Sequence, residues 1–151
     1  MTTLPKRPKP APSFTLRPGE SISFVLPVTP RTKKNSRVHA KVRGRTVPLP
    51  SAAYRGMEAS IKEWARSPAG EIYRGSEWYG PYLRLAQPLN CAAIFYRDAN
   101  RGDAVGYYQG LADALEAAGV VSDDKWITQW DGSRLAKDAD RSRIEVTLTA
   151  L

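Results

Sequence analysis

Residues 89–126 decide the fold and read LNCAAIFYRDANRGDAVGYYQGLADALEAAGVVSDDKW. The run from Leu89 to Arg97 is mostly apolar and predicts a central strand. After a polar loop, Asp103 stands where the N-cap of a helix is expected. Apolar residues then recur at helical spacing and predict a helix over 104–118. The stretch therefore predicts a strand, a loop and a capped helix in succession.

Periodicity on the N-terminal side of this stretch adds further elements. Alternation of apolar and polar residues over 21–28 predicts a half-buried strand. Alternation over 37–48, broken by Gly44, predicts a basic β-ribbon. Pro50-Ser51 is a plausible helix start, and apolar residues at helical spacing after it predict a helix over 52–66.

The remaining segments complete the predicted topology. Residues 67–88 show no clear period and are interpreted as irregular structure packed on the core. Residues 126–135 and 143–148 are predicted to pair as a closing β-hairpin. Proline-rich composition predicts an extended tail over 1–19, which leaves 20–151 as a single domain. The element order β-β-α-β-α-β-β predicts an α+β fold, a mixed β-sheet with two packed helices.

Cysteine and histidine each occur once, as Cys91 and His39. No disulfide within the chain is possible, and zinc sites or Ser-His-Asp triads have few residues to use. Any metal is therefore expected to be held mainly by oxygen, and no organic small-molecule cofactor is expected. No apolar run approaches the ~18 residues that span a bilayer, and the first residues lack the apolar stretch of a secretory signal. We therefore expect a soluble, cytoplasmic protein without a membrane partner.

Positive charge is concentrated in one segment. The formal net charge is +8, and residues 31–45 contain seven cations and no acid. Residues 98–151 reverse the balance, with six bases against ten acids. A basic segment of this kind suits a phosphate backbone, whereas the alternative is an ordinary solvated surface or a localisation-type signal. The candidate nucleic-acid-binding residues are Arg31, Lys33, Lys34, Asn35, Arg37, Lys41, Arg43, Arg45 and Arg101.

Five aspartates in the C-terminal part form the second candidate group: Asp98, Asp103, Asp113, Asp123 and Asp124. Asp103 and Asp124 can approach each other only if the chain after Gly119 runs back along the second helix. If they converge, two or three carboxylates can hold Mg²⁺, with Mn²⁺ as a substitute, and the ion can activate water beside a phosphate. The alternative assigns Asp103 to an N-cap and leaves the other carboxylates to turns and solvent.

Two strings of residues in this chain occur together in a known family. The first includes Thr32-Lys33-Lys34-Asn35-Ser36 and Val47-Pro48-Leu49-Pro50-Ser51. The second passes through Gly102-Asp103, Asp113-Ala114-Leu115, Ala118-Gly119-Val120 and Asp123-Asp124. Together they resemble the RusA-type Holliday-junction resolvases, particularly those of bacteriophages and prophages, over about residues 21–149.

The resemblance implies a homodimeric, Mg²⁺-dependent endonuclease that cuts branched DNA in a bacterial host cell. It implies catalytic roles for Asp103, Asp113 and Asp124, and metal ligation by Asp103, Asp124 and Asp123. Two symmetric sites suit the paired cuts that resolve a four-way junction. The dimer hypothesis also draws on surplus aromatics and on small residues of the second helix, which can alternatively serve the packing of a monomer. The aromatics are Trp78, Tyr79, Tyr82, Trp126 and Trp130, and the small residues are Gly106, Gly110 and Ala114.

Three positions of the second helix depart from the family's motif. Val105 stands at its second acid, Gly106 at its Asn and Gln109 at its Lys. The alternative function is therefore a branched-DNA-binding protein on the same scaffold whose catalysis is weakened or lost. Asp98, Asp123 or a lysine of the basic segment is the candidate to supply what these positions lack.

Overall fold

A computed structural model describes residues 15–33, 38–49, 51–66, 72–74, 77–79, 83–100 and 102–151. These residues form two helices, a short 3-10 turn and nine strands. In chain order the elements are β1 (Ser21–Leu26), β2 (Val38–Val42), β3 (Arg45–Leu49), α1 (Ala52–Arg66), β4 (Ile72–Arg74), β5 (Glu77–Tyr79), β6 (Leu89–Arg97), α2 (Ala104–Ala117), the 3-10 turn (Asp124–Trp126), β7 (Ile127–Gln129), β8 (Arg134–Lys137) and β9 (Arg143–Ala150). The predicted α+β class, with a mixed sheet and two helices, is confirmed. The predicted order β-β-α-β-α-β-β lacks β4 and β5, and it counts β2 with β3, and β7 with β8, as single strands.

Strand β6 is the centre of the sheet. Its partner on one edge is β9, which runs antiparallel, and on the other edge β7 and β8 run parallel to it. Beyond β9 the order continues through β1, β4 and β5. Strands β2 and β3 form a separate antiparallel hairpin, so the predicted basic ribbon is confirmed.

The prediction of a closing β-hairpin is wrong. Strand β8 pairs with β6 from Ile94 to Arg97, and β9 pairs with the opposite edge of β6 from Tyr96 back to Leu89. The chain between them turns at the end of β6, where the Asp138 N–H donates to the Arg97 carbonyl. Both edges of a buried strand need partners, and the last two strands supply one each.

One hydrophobic core lies between the sheet and the helices. Alternate residues of β6 and β9 are buried, as expected for strands with one covered face. Helix α1 has the predicted bounds and buries the predicted stripe, which consists of Tyr54, Met57, Ile61, Trp64 and Ala65. Among the described residues, neither helix has the length and apolar character to cross a membrane.

Two segments differ from their predictions. The interval predicted to be irregular contains the three-residue strands β4 and β5, which are too short to show a period. Leu16 is 1% exposed, and the Gln87 side chain both donates to and accepts from its backbone. The fold therefore includes the end of the segment predicted as a tail, while residues 1–14 lie outside the described chain.

Candidate metal centre and nucleic-acid interface

Three carboxylates meet beside the C-terminal half of α2. One oxygen each from Asp113, Glu116 and Asp124 lies within 4.8 Å of the others. Asp113 and Glu116 are three residues apart, so they occupy one face of the helix. Asp124 reaches them because it opens the 3-10 turn, which packs against α2. We call these three residues the acidic cluster.

The crowding of negative charge is visible in the pKa of Asp124. Partial burial raises the pKa of this carboxyl, and so do its hydrogen bonds with Asp123 and Asp113 and the charge of Glu116. The pKa of Asp123 shifts the other way, mainly because it accepts a hydrogen bond from the Lys125 backbone N–H at 2.9 Å. The Asp123 side chain therefore caps the 3-10 turn, whereas the Asp124 side chain lies beside Asp113 and Glu116.

A lysine of the basic segment enters this group. Lys33 Nζ lies 3.0 Å from Asp113 Oδ2 and 5.7 Å from the centroid of the Tyr54 ring. Its ammonium offsets one of the three carboxylate charges. Lys33 thus places a positive charge beside the acidic cluster. A lysine of the basic segment was one of the candidates predicted to replace the groups missing from the second helix.

The loop that carries Lys33 crosses α2 at its glycines. A Cβ atom on Gly106 would lie 3.3 Å from Thr32 Cγ2, and one on Gly110 would lie 3.4 Å from the Arg31 carbonyl oxygen. Gly110 is also covered by the Tyr54 ring. The close approach that small residues predicted is therefore made by the chain's own loop and tyrosine, rather than by a second subunit.

The donor set of the acidic cluster fits a hard divalent cation. All three ligands are carboxylate oxygens, the type that Mg²⁺, Mn²⁺ and Ca²⁺ prefer. One oxygen from each of the three residues lies within 4.8 Å of the others, so the cluster could hold such a cation. Water molecules would complete the octahedron.

Asp103 is not one of the residues that come together. It is the N-cap of α2, and its Oδ1 accepts a 2.8 Å hydrogen bond from the Gly106 N–H. Asp113 follows ten residues later, which is roughly 15 Å along a helix axis. After Gly119 the chain does not return to the start of α2 but pairs with the segment before β6, where Ser122 N–H donates to the Leu85 carbonyl.

The sequence analysis missed Glu116. The signal was present, because a carboxylate three residues after Asp113 shares its helix face. However, the position of the turn at Asp124 is needed to show that this face of α2 carries the acidic cluster. At the motif departures, Val105 is 65% exposed and Gln109 is exposed, while Gly106 is buried against the loop.

The candidate nucleic-acid residues are spread over two surfaces. Arg31 forms a two-pronged pair with Asp98, both contacts being 3.3 Å, close to the loop that carries Lys33. Arg43 and Arg45 are exposed at the tip of the β2–β3 hairpin, where Arg43 and Gly44 have the positive φ angles of a tight turn. Lys41 lies on β2. The other candidates lie outside the described residues: Lys34, Asn35, Arg37 and Arg101.

Comparison with known proteins gives no assignment. The sequence matches no protein-family model, and no curated protein is significantly similar to it. A functional conclusion therefore depends on the chemistry of the acidic cluster and the cations around it.

Proposed function

We propose that this protein is a metal-dependent endonuclease that hydrolyses phosphodiesters in branched DNA, as the resemblance to RusA-type resolvases implies. The observation that supports it best is the meeting of Asp113 and Asp124, both chosen from the sequence, with Glu116 within 4.8 Å. A basic loop reaches the same point through Lys33. Metal-assisted phosphodiester hydrolysis needs carboxylates that bind the metal ion, and basic side chains beside them that bind the phosphate.

Each group has a defined role in this proposal. Asp113, Glu116 and Asp124 would hold Mg²⁺ or Mn²⁺, which activates water and offsets the charge that develops on the phosphate. An ammonium has three N–H donors. Lys33 uses one on Asp113 and has two others for a phosphate oxygen of the substrate. Arg43 and Arg45 would contact the backbone of a DNA arm farther along.

The homodimer is part of the proposal because resolution of a four-way junction requires two cuts on opposite strands. Gly106 and Gly110 no longer support it, since the chain's own residues cover them. Trp130 stacks on Tyr108 at a centroid distance of 4.8 Å within the monomer. Light scattering of the complex with junction DNA tests this part: a protein mass of one 16.7 kDa chain per junction would contradict it.

The second candidate is a protein that binds branched DNA without cutting it. Two observations favour it. The Lys33 ammonium pairs with the Asp113 carboxylate, to which a metal would also have to bind. Asp103, the first acid of the family's motif, is used as a helix cap.

One experiment separates the two candidates. A synthetic four-way junction and a duplex of matched sequence are incubated with the full chain in Mg²⁺, Mn²⁺ or EDTA. The nuclease predicts metal-dependent cutting of the junction, its loss in Asp124→Asn, and its retention in Asp131→Asn, an exposed carboxylate outside the cluster. Junction binding without cutting in either metal supports the second candidate, and equal binding of junction and duplex with no cutting of either contradicts both.

A further inference from the structure

A groove opens at the C-terminal end of α2, next to the acidic cluster. It encloses about 350 Å³, and Glu116 belongs to both the groove and the cluster. Three segments build its walls: the end of α1, the residues before β6, and the turn after α2. Its polar lining residues are Arg66, Arg84, Glu116 and Ser122.

Two arginines are the basic residues among those that line the groove. Arg66 is the last residue of α1 and Arg84 precedes β6, and both are exposed. Within the described part of the chain, neither has a carboxylate within ion-pair distance, whereas Arg31 and Arg143 do. The groove therefore offers two guanidinium groups against the single negative charge that Glu116 brings to its lining.

The backbone fixes where Arg84 lies. Its φ of 44° is in the left-handed region, which is uncommon for a residue with a side chain. The Arg84 N–H donates to the Gly119 carbonyl at 2.9 Å, and the neighbouring Leu83 and Leu85 are buried in the core. Arg84, one of the lining residues, is thus anchored on both sides at the groove.

Ser122 adds a hydroxyl group to the lining of the groove. Its Oγ accepts a 3.0 Å hydrogen bond from Trp126 Nε1, so its own O–H is available to donate. Guanidinium groups with a hydroxyl donor are suited to phosphate oxygens, which accept bidentate hydrogen bonds.

We propose that this groove binds a phosphodiester of the DNA strand that continues past the acidic cluster, with Arg66 and Arg84 paired to its oxygens. The inference rests on the proposed function, because it takes DNA as the ligand. Binding of DNA by these arginines would also reduce the electrostatic repulsion between DNA and the acidic cluster. A polyanion that approaches three carboxylates is repelled unless cations lie beside them, and the groove puts two on the side of the cluster reached through Glu116.

The test measures binding rather than cutting. Arg66→Gln, Arg84→Gln and the double variant are compared with Arg55→Gln, which removes the same charge from an exposed site on α1 outside the groove. Junction binding is followed by fluorescence anisotropy in Ca²⁺ over a salt series. We expect each groove variant to bind roughly tenfold more weakly. The slope of log affinity against log salt should fall by about 0.9 for each phosphate that the variant no longer neutralises.

The outcomes separate this inference from the proposed function. If the wild type binds no DNA, both are overturned. If the wild type binds the junction and the groove variants match Arg55→Gln, only the groove inference is overturned. If inorganic phosphate binds in an Arg84-dependent way while junction affinity is unchanged in the variants, the groove is a site for free phosphate and the DNA inference is overturned. Arg66→Gln keeps the test decisive if Arg84→Gln fails to fold, because Arg66 lies at a helix end.

Discussion

The two ends of α2 use acidic residues in opposite ways. At the N-terminal end a single aspartate, Asp103, accepts a hydrogen bond from the helix and stabilises it. Beside the C-terminal half, Asp113 and Glu116 lie with Asp124, and none of them caps α2. The acid at the start of α2 stabilises the helix by capping it, whereas the acids near its end have no capping role that would account for their position.

Helix electrostatics sharpen this comparison. The N-terminus of a helix carries a partial positive charge that favours a carboxylate, and the C-terminus carries a partial negative charge that disfavours one. The last turn of α2 contains no basic residue to offset that charge. Lys33 offsets only one of the three carboxylate charges in the acidic cluster, so the remaining negative charge raises the energy of the folded state unless a further cation joins them. This cost is the physical argument for a cation-binding role.

The largest expected difference is between carboxylates removed from the acidic cluster and the carboxylate removed from the N-cap of α2. We expect Asp113→Asn and Asp124→Asn to lower junction cleavage about a hundredfold or more, because each removes an anionic ligand. We expect Asp103→Asn to leave cleavage nearly unchanged, because Asn caps a helix about as well as Asp. Cleavage rates in Mg²⁺ and thermal melting of all three variants check this.

The opposite result for Asp103 would reverse the comparison. Loss of cleavage in Asp103→Asn with an unchanged melting temperature would place a metal ligand at the start of α2, as the family resemblance implies. Full cleavage in Asp124→Asn would remove the acidic cluster from the mechanism.

A second prediction concerns the glycine between the two ends. A Cβ on Gly110 would meet Tyr54 Cε2 at 3.1 Å, and this buried ring has little room to move. We expect Gly110→Ala to lower the free energy of unfolding by about 2 kcal/mol, despite the better helix propensity of Ala. Gly56→Ala on α1 is the matched control, since nothing lies within 4 Å of its Cβ position. We expect that variant to gain about 0.5–1 kcal/mol in urea unfolding.

Local elements of this fold were predictable, and their partners were not. The bounds of β6, α1 and α2 follow from periodicity and capping within each segment. The pairing of β8 and β9 depends on which edges of β6 are open, and that is set by the course of the whole chain. The local pattern therefore predicted β9 correctly. It merged β7, the turn at 131–132 and the start of β8 into one strand, and it paired that strand with β9 wrongly.

The candidate site shows the same division. Asp113 and Asp124 were named from the sequence, and the structure brings them together with Glu116. Asp103 was named with them because its spacing allowed either a cap or a ligand. The choice between those roles depends on whether the chain after Gly119 returns along α2, a long-range property that spacing does not contain.

A third prediction tests the tyrosine that connects α1 to α2. The Tyr54 hydroxyl donates to the Gly110 carbonyl at 2.9 Å in a buried position. We expect Tyr54→Phe to lower the free energy of unfolding by about 1 kcal/mol at pH 7. An unchanged free energy of unfolding would show that this hydrogen bond does not tie the helices together.

The same residue predicts a pH dependence. Burial, followed by the charges of Glu58 and Asp113, raises the pKa of Tyr54 above its ordinary value of 10.0. The folded state therefore keeps the proton where the unfolded state loses it, so the stabilisation is complete below pH 10 and declines above it. Urea unfolding above pH 10 should narrow the gap between wild type and Tyr54→Phe. A gap that stays constant would contradict the raised pKa.

The smallest expected effect tests whether Lys33 belongs to the cluster's chemistry. Its ammonium and a divalent cation compete for Asp113, whose side chain is 19% exposed against 40% for Lys33. Because a half-exposed ion pair is worth little, we expect Lys33→Gln to bind Mn²⁺ only about threefold more tightly. Arg31→Gln is the control from the same loop, since Arg31 pairs with Asp98 instead. Mn²⁺ titration followed by electron paramagnetic resonance measures both variants.

Tighter metal binding together with weaker junction cleavage in Lys33→Gln would show that this lysine competes with the metal in the free protein and contacts the phosphate in the DNA complex. Unchanged Mn²⁺ affinity would mean that the cation binds away from Asp113, and the contrast between the two ends of α2 would then describe helix stability alone.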